Sequence, residues 1–479
     1  MFNKKNFFLV LAIILILIAT NFCNVIGVNQ NISNESEIIT QNSIKKWTLL
    51  YYNCCDRNHT SYENENLITE LKQIGSSNDL NIIAIVDGEY DDDTVIYYIE
   101  PGNAIRLNEL IGWPSEANLA DPVVLKSYLN FVVDQYPAEY YAMIILSDMG
   151  SGWMGILHDD EAPLMSIPTF AKTFEELQVE TGEKIDILAL RPCVMGSFEV
   201  SYELKDGVDF FIASEDHMLE PLDKGVEYIF PYYQSTWYLK NNTDITPEHF
   251  AEKIVDFFNP TDFPLWVLYT YEVIYKKGNM NPFLKIISNV LTKFLNKLPN
   301  PDYHTTGIYT TLSATNLSRI DNVAKKIDVL SEKLILYSFD EDTINVINDA
   351  RLNVREFAKF YSNNKNRLTS TLSMIFSIEK FAYDSFVDLY DLIRQINESS
   401  NNEFIKQACE DVMIEFNNAI IVNSSTDNDH AYGLHIYFPE EKDQYNRYLW
   451  KTKMPCLYEE LDFAQNTHWD EFLKNYLDI

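Results

Sequence analysis

The sequence predicts an α/β protein with a mainly parallel central sheet covered by helices on both faces. Three observations carry that expectation. Apolar runs such as LNIIAIV (80–86), AMIIL (142–146) and IDILAL (185–190) are nearly continuous rather than alternating, as in strands buried on both sides. Stretches with apolar residues at helical spacing lie between them, giving the βα alternation of a parallel sheet. A composition of 46% hydrophobic and 14% aromatic residues suits one large packed body.

In chain order, Lys4 and Lys5 precede the unbroken apolar run Phe7–Ala19, with small residues around Gly27. This is the order of a secretory signal, assigned to residues 1–28. The run is short of the roughly 20 apolar residues of a spanning helix, so membrane contact is expected only through an uncleaved signal anchor. Residues 29–44 are polar and read as a flexible leader. The core of 45–235 begins with strands WTLLYY (47–52), LNIIAIV and TVIYYI (94–99). A helix follows with Asp121 as N-cap and Pro122 at its first position. Strands AMIIL, IDILAL and DFFIA (209–213) then alternate with helices over 168–180 and 196–204. The region 236–479 is helix-rich, and GIYTTL (307–312) and GLHIYF (433–438) are its candidates for strands returning to the sheet.

Charge and cysteines narrow the classes. With 71 acidic against 37 basic residues, the net charge of −34 excludes a nucleic-acid binder and offers nothing to an anionic membrane. Beyond the signal, Cys54, Cys55, Cys193, Cys409 and Cys456 contain no CxxC pair, and their odd number leaves at least one free thiol or one intermolecular bridge. The acidic clusters DGEYDDD (87–93) and HDDE (158–161) have the oxygen chemistry for calcium, but neither has the spacing of an EF-hand loop; solvated loops are the ordinary meaning. No cofactor is otherwise indicated.

In a parallel sheet, functional residues gather beyond the C-terminal ends of the strands. SDMGSG, RPC and SEDH each directly follow a strand and are expected on one edge. Cys193 ends a strand and opens a helix, where the positive helix end lowers a thiol pKa and activates a nucleophile. A buried inert cysteine is the competing meaning.

At this point WTLLYYNCCDRN, YYAMIILSDMGSGWMG, KIDILALRPCVMGSFEVSYEL, VDFFIASED, FVDLYDLI and AYGLHIYFP together become recognisable. The sequence resembles the clostripain family of cysteine peptidases, relatives of caspases and gingipains, over about residues 46 to 477. The resemblance implies a caspase-like three-layer sandwich, whose helix-rich C-terminal half adds strands to the central sheet. It also implies a Cys–His dyad, cleavage after Arg or Lys, and self-processing at a basic residue. The family thiol falls on Cys193, with Met195 and Gly196 also matching. The family histidine falls on Met149, while Gly150, Gly152 and Trp153 match. The acidic residue that in the family faces a cationic P1 side chain falls on Arg191, which would repel Arg or Lys substrates. No Lys or Arg stands between Met149 and Lys172 to serve self-processing.

The expectation is therefore an exported or cell-surface peptidase homologue that keeps its nucleophile, has lost its base and binds peptide or protein ligands through a cleft including Arg191, Gly150 and Trp153. The first alternative is an active endopeptidase with altered P1 preference and a substitute base. His217 is the candidate; His158 and Asp148 are weaker ones, the latter too acidic for a thiol unless buried. The second alternative is a structural or adhesive surface protein.

Overall fold

Strand β1 (Lys45–Cys54) lies at the centre of the molecule, and from Trp47 to Cys54 every residue is buried. Only a strand covered on both faces permits that. A computed structural model describes residues 44–54, 61–88, 90–147, 150–159, 164–216, 218, 230–260, 262–264, 307–357, 385–426, 430–446 and 455–479. The signal, the leader, Cys55, Asp148, Met149, Asp160 and His217 lie outside the described residues.

After β1 come α1 (Ser61–Ile74), β2 (Leu80–Asp87), β3 (Val95–Glu100), β4 (Asn103–Arg106) and α2 (Pro122–Gln135). The core continues with β5 (Ala138–Ile145), α3 (Ile167–Thr181), β6 (Ile185–Leu190), α4 (Phe198–Leu204) and β7 (Val208–Ala213). Helices α5 (Tyr232–Asn241) and α6 (Pro247–Asp256) follow, then β8 (Leu312–Asn316), α7 (Ile320–Leu336) and α8 (Glu341–Asn353). The remainder comprises β9 (Glu356–Phe357), β10 (Phe386–Asp388), α9 (Leu389–Ser399), α10 (Glu403–Ala419), β11 (Ile420–Ser424), β12 (His435–Tyr437) and α11 (Trp469–Leu477). The Asp121 cap expected from the sequence is present, accepting from the Val123 N–H, and Thr246 caps α6 by accepting from the His249 N–H.

The central sheet has nine strands in the order β11-β8-β7-β6-β5-β1-β2-β3-β4. The five from β7 to β2 are parallel, and an antiparallel pair flanks each side. One face, through Leu50, Tyr52, Met143 and Leu188, packs on α2, α3, α4, α7, α9 and α10. The other, through Leu49, Tyr51, Ile144 and Ile187, packs on α1, α5 and α6. This is the expected three-layer α/β sandwich with a mainly parallel sheet, and Ile44–Ile479 forms one compact unit. No described helix is long and apolar enough to cross a membrane.

The C-terminal half does add strands to the sheet, though not the two the sequence singles out. Gly307–Tyr309 pairs with Asp262–Pro264, and the segment just after it becomes β8. GLHIYF stays out of the central sheet altogether. At Gly433, with φ 119°, the chain crosses so closely over β8 that a Cβ would stand 3.1 Å from Ser313 Cβ. Beyond it the chain forms β12, which pairs with β10 in a separate three-stranded sheet. The outer edge position goes to β11, which continues directly from α10.

Helix α4 is buried along its whole length, two carboxylates included. Glu203 accepts the Phe463 N–H at 3.2 Å, and burial, assisted by the Asp462 charge, pushes its pKa up to about 8. A carboxyl raised in the fold holds its proton more tightly than the unfolded chain does. Its contribution is therefore lost as pH rises from 4.5 toward 8. Glu203→Gln, which keeps the acceptor, is expected to flatten that fall by about 1 kcal/mol or more between pH 5 and 8, measured by urea unfolding at both.

Candidate active site

The C-terminal ends of β5, β6 and β7 bring three loops together, as the sequence predicts. Beyond β6, the Arg191 N–H donates to the Ile145 carbonyl at 2.9 Å, extending the ladder by one residue. The Arg191 side chain is buried, and Nη1 reaches the Ser147 carbonyl at 3.5 Å. Cys193 follows, half-buried, with Sγ 3.4 Å from the Met218 N–H in the loop after β7. Cys409 and Cys456 are buried free thiols.

The loop carrying the thiol has an unusual backbone. Val194, a β-branched residue, sits at φ 57°, in a region that costs such residues about 1–3 kcal/mol. Surrounding bonds hold it there. Its N–H donates to the Asp216 carbonyl at 3.1 Å, and its own carbonyl is 3.0 Å from His435 Nε2. Two residues on, the Gly196 N–H donates to the Ser214 carbonyl at 2.7 Å, and the Gly196 carbonyl accepts the His435 N–H at 2.8 Å. The loop is thus clamped between the exit of β7 and the first residue of β12.

The glycine-rich turn closes on it from the β5 side. A Cβ on Gly150 would stand 2.4 Å from the Cys193 carbonyl oxygen, so only glycine permits this approach. Gly152, at φ 57°, lies against Phe386 and His435. Trp153 is 1% exposed, with Tyr437 and Tyr458 each 5.1 Å away ring to ring, so its indole packs beneath the turn. The Cys54 Sγ–H donates to the His158 carbonyl at 3.2 Å, tying the far end of this segment to β1.

The structure therefore brings Gly150 and Cys193 into contact and places Arg191 against Ser147. The described neighbours of Met149 and His217, namely Gly150, Asp216 and Met218, all meet the cysteine loop. One sequence expectation fails: Cys193 does not stand at a helix N-terminus. Helix α4 starts only at Phe198, because Val194 in its left-handed conformation and the Gly196 clamp prevent helical dihedrals sooner. A helix dipole acts within its first turn, so it has little reach to this sulfur.

His435 went unnoticed in the sequence, where it reads as one more residue of an apolar strand. It is fully buried, and its ring centroid is 4.5 Å from that of Phe386. Burial lowers its pKa from 6.5 to about 4, against the pull of the Val194 carbonyl and Asp216. The imidazole is neutral at pH 7, and Nε2 facing a carbonyl makes it the protonated nitrogen. A depressed histidine pKa costs stability as pH falls from 6.5 toward 4. NMR is expected to show this ring titrating with a midpoint near 4. A midpoint above 6 would contradict its burial.

Below the loop lies a second acidic layer. Glu215 accepts the Gly433 N–H at 2.9 Å, and Asp388 accepts the Tyr432 and Asp391 N–H groups at 2.6 Å each. The Glu215 and Asp388 carboxyls are hydrogen-bonded, and burial pushes Asp388 up to about 7. Arg355 meets Asp216 at 3.5 Å and lies over the Phe357 ring.

The family model described as the clostripain family matches residues 51–476. The chain belongs to the clostripain family. Clostripain of Hathewaya histolytica is 24% identical over 469 residues, spanning 89% of this chain and 80% of the relative. An inactive zymogen C11 protease from Parabacteroides distasonis superposes with TM-score 0.53 at 17% identity, covering 89% of this clostripain-family chain and 99% of its own. A secreted C11 cysteine protease from Bacteroides thetaiotaomicron, solved with an irreversible peptide inhibitor, gives TM-score 0.49 at 14% identity over 89% and 100% of the two chains.

Proposed function

We propose that this clostripain-family protein is an exported, catalytically impaired peptidase homologue that binds peptide or protein ligands in its cleft. The observation that carries the proposal is Met149 at the position where the family motif has its histidine. A thioether can neither take the thiol proton nor return it to a leaving amine. Two features support the reading. The described imidazole that touches the cysteine loop, His435, is buried, has its Nε2 on Val194 and is too weakly basic to draw a proton from a thiol. Arg191 puts a cation where the family pattern has an acid, disfavouring Arg or Lys at P1.

A second reading rests on one contact. The Met218 N–H meets Cys193 Sγ at 3.4 Å, which brings the sequence neighbour of His217 to the sulfur. In that reading His217 is the base of an active endopeptidase for acidic or neutral P1 residues.

Both readings are tested by incubating the protein, freed of residues 1–28, and its Cys193→Ala variant with an unbiased peptide library. Cleavage by neither is expected. Cleavage lost in Cys193→Ala would overturn the impaired reading, and its loss in His217→Ala as well would establish the second.

A further inference from the structure

Two buried carboxyls meet beneath the cysteine loop, and the segments that carry or hold them are the two jaws of its clamp. Glu215 stands between Ser214, whose carbonyl accepts the Gly196 N–H, and Asp216, whose carbonyl accepts the Val194 N–H. Asp388 ends β10 and caps α9, and it accepts the Tyr432 N–H beside the Gly433 N–H that goes to Glu215. Two residues after Gly433 comes His435, which meets the Gly196 carbonyl through its N–H and the Val194 carbonyl through its ring. We propose that Glu215 and Asp388 share one proton, and that this proton is the latch that positions the cysteine loop.

The donors and acceptors require it. Both side chains are fully buried, and the two carboxyls are hydrogen-bonded to each other. Ionised carboxylates only accept, so a bond between two of them needs a proton on one. Asp388 has given both oxygens to the backbone: Oδ1 accepts the Asp391 N–H and Oδ2 the Tyr432 N–H, each at 2.6 Å. Glu215 has given Oε2 to the Gly433 N–H at 2.9 Å, so its other oxygen is the place for the proton. The cations nearby are engaged with other acids, Arg394 with Asp391 at 2.5 Å and Arg355 with Asp216 at 3.5 Å. Of the remaining titratable neighbours, burial keeps both the Tyr432 phenol and the His435 ring neutral at pH 7.

The latch is sensitive to pH. Burial pushes Asp388 up to about 7, and a shared proton titrates as a property of the pair. The unfolded chain releases it in the ordinary carboxyl range, near pH 4. A value raised by folding gives stability that is present at low pH and lost as pH rises toward the folded value. Between those limits the folded pair holds one extra proton, which raises the unfolding constant about tenfold per pH unit. Once the proton is lost to solvent, two like charges stand in contact in a buried site. Their separation draws the exit of β7 away from Gly433, and Val194, at φ 57°, loses the bonds that hold its strained backbone.

The test compares the full chain with Glu215→Gln, whose amide donates to Asp388 as the proton does and still accepts the Gly433 N–H. In urea unfolding at pH 5, 6 and 7, the unfolding constant of the parent is expected to climb about tenfold more per unit than that of Glu215→Gln. Infrared spectra at pH 6 should show one protonated-carboxyl band lost in Glu215→Gln, and the same single band lost in Asp388→Asn. The positional readout is alkylation of Cys193, taken as the difference from Cys193→Ala. It should step upward near pH 7 in the parent and follow only ordinary thiol ionisation in Glu215→Gln. Equal pH slopes in parent and Glu215→Gln would overturn the shared proton, as would a carboxyl band that survives both substitutions. Alkylation profiles that coincide would overturn the positioning role, whatever the slopes show.

Discussion

Met149→His is expected to raise peptide cleavage by roughly 10²–10⁴-fold, the range a positioned general base supplies. The gain should vanish when Cys193→Ala is added. The described chain before Met149 ends at Ser147, whose carbonyl meets Arg191. The chain after it starts at Gly150, which rests on the Cys193 carbonyl. Ser147 and Gly150, the described residues on its two sides, both meet the cysteine segment, and the family motif has its imidazole at this position. Products should end in acidic or neutral residues, because Arg191 still disfavours a cation at P1. Adding Arg191→Asp should move cleavage to Arg and Lys. The measurement is kcat/KM on a fluorogenic library with P1 varied. Thiol-independent turnover, or no gain at all, would defeat the idea that only the base is missing.

Gly196→Ala is expected to cost about 3 kcal/mol, at the upper end of overpacking penalties. The added methyl would stand 2.7 Å from the Ser214 carbonyl carbon and 2.8 Å from the Glu215 nitrogen, both backbone atoms at the exit of β7. No side-chain rotation relieves that clash. Relief requires moving the loop that accepts the Gly196 N–H, and with it the Asp216 carbonyl that holds Val194. Gly112→Ala provides the contrast. It sits at φ 68° with no atom within 4 Å of the added methyl, so it carries backbone strain of about 1 kcal/mol but no clash. Urea unfolding of the two variants should separate these costs. Equal losses would mean that the contact at Gly196 relaxes freely.

Much of this was legible in the residues because burial on two faces leaves a plain trace. Continuous runs such as IDILAL announce buried parallel strands, and Asp121-Pro122 and Thr246-Pro247 mark helix starts. The loops after β5, β6 and β7 met on one edge because the parallel direction leaves them no other place. The small second sheet left no comparable trace. Strands β9, β10 and β12 are two or three residues long, below any periodic signal. His435 was missed for the same reason: its role comes from Val194, Gly152 and Phe386, none of them near it in sequence. The helix start after Cys193 was misplaced because a left-handed valine is held by tertiary bonds, and no local propensity predicts it.

The clamp on the cysteine loop also orders events during synthesis. The Gly196 carbonyl has no strand N–H to accept until His435 exists, and the edge of β7 away from β6 is covered by β8. A growing chain that has finished β7 therefore exposes an uncovered strand edge, a site of mispairing, while more than half of its sequence is still unmade. At ordinary elongation rates the gap from position 193 to position 435 lasts on the order of tens of seconds. Throughout it the thiol belongs to an unfinished loop. Premature chain ends anywhere before β12 should yield aggregating fragments, with the cysteine loop assembling only once nearly the whole chain has emerged.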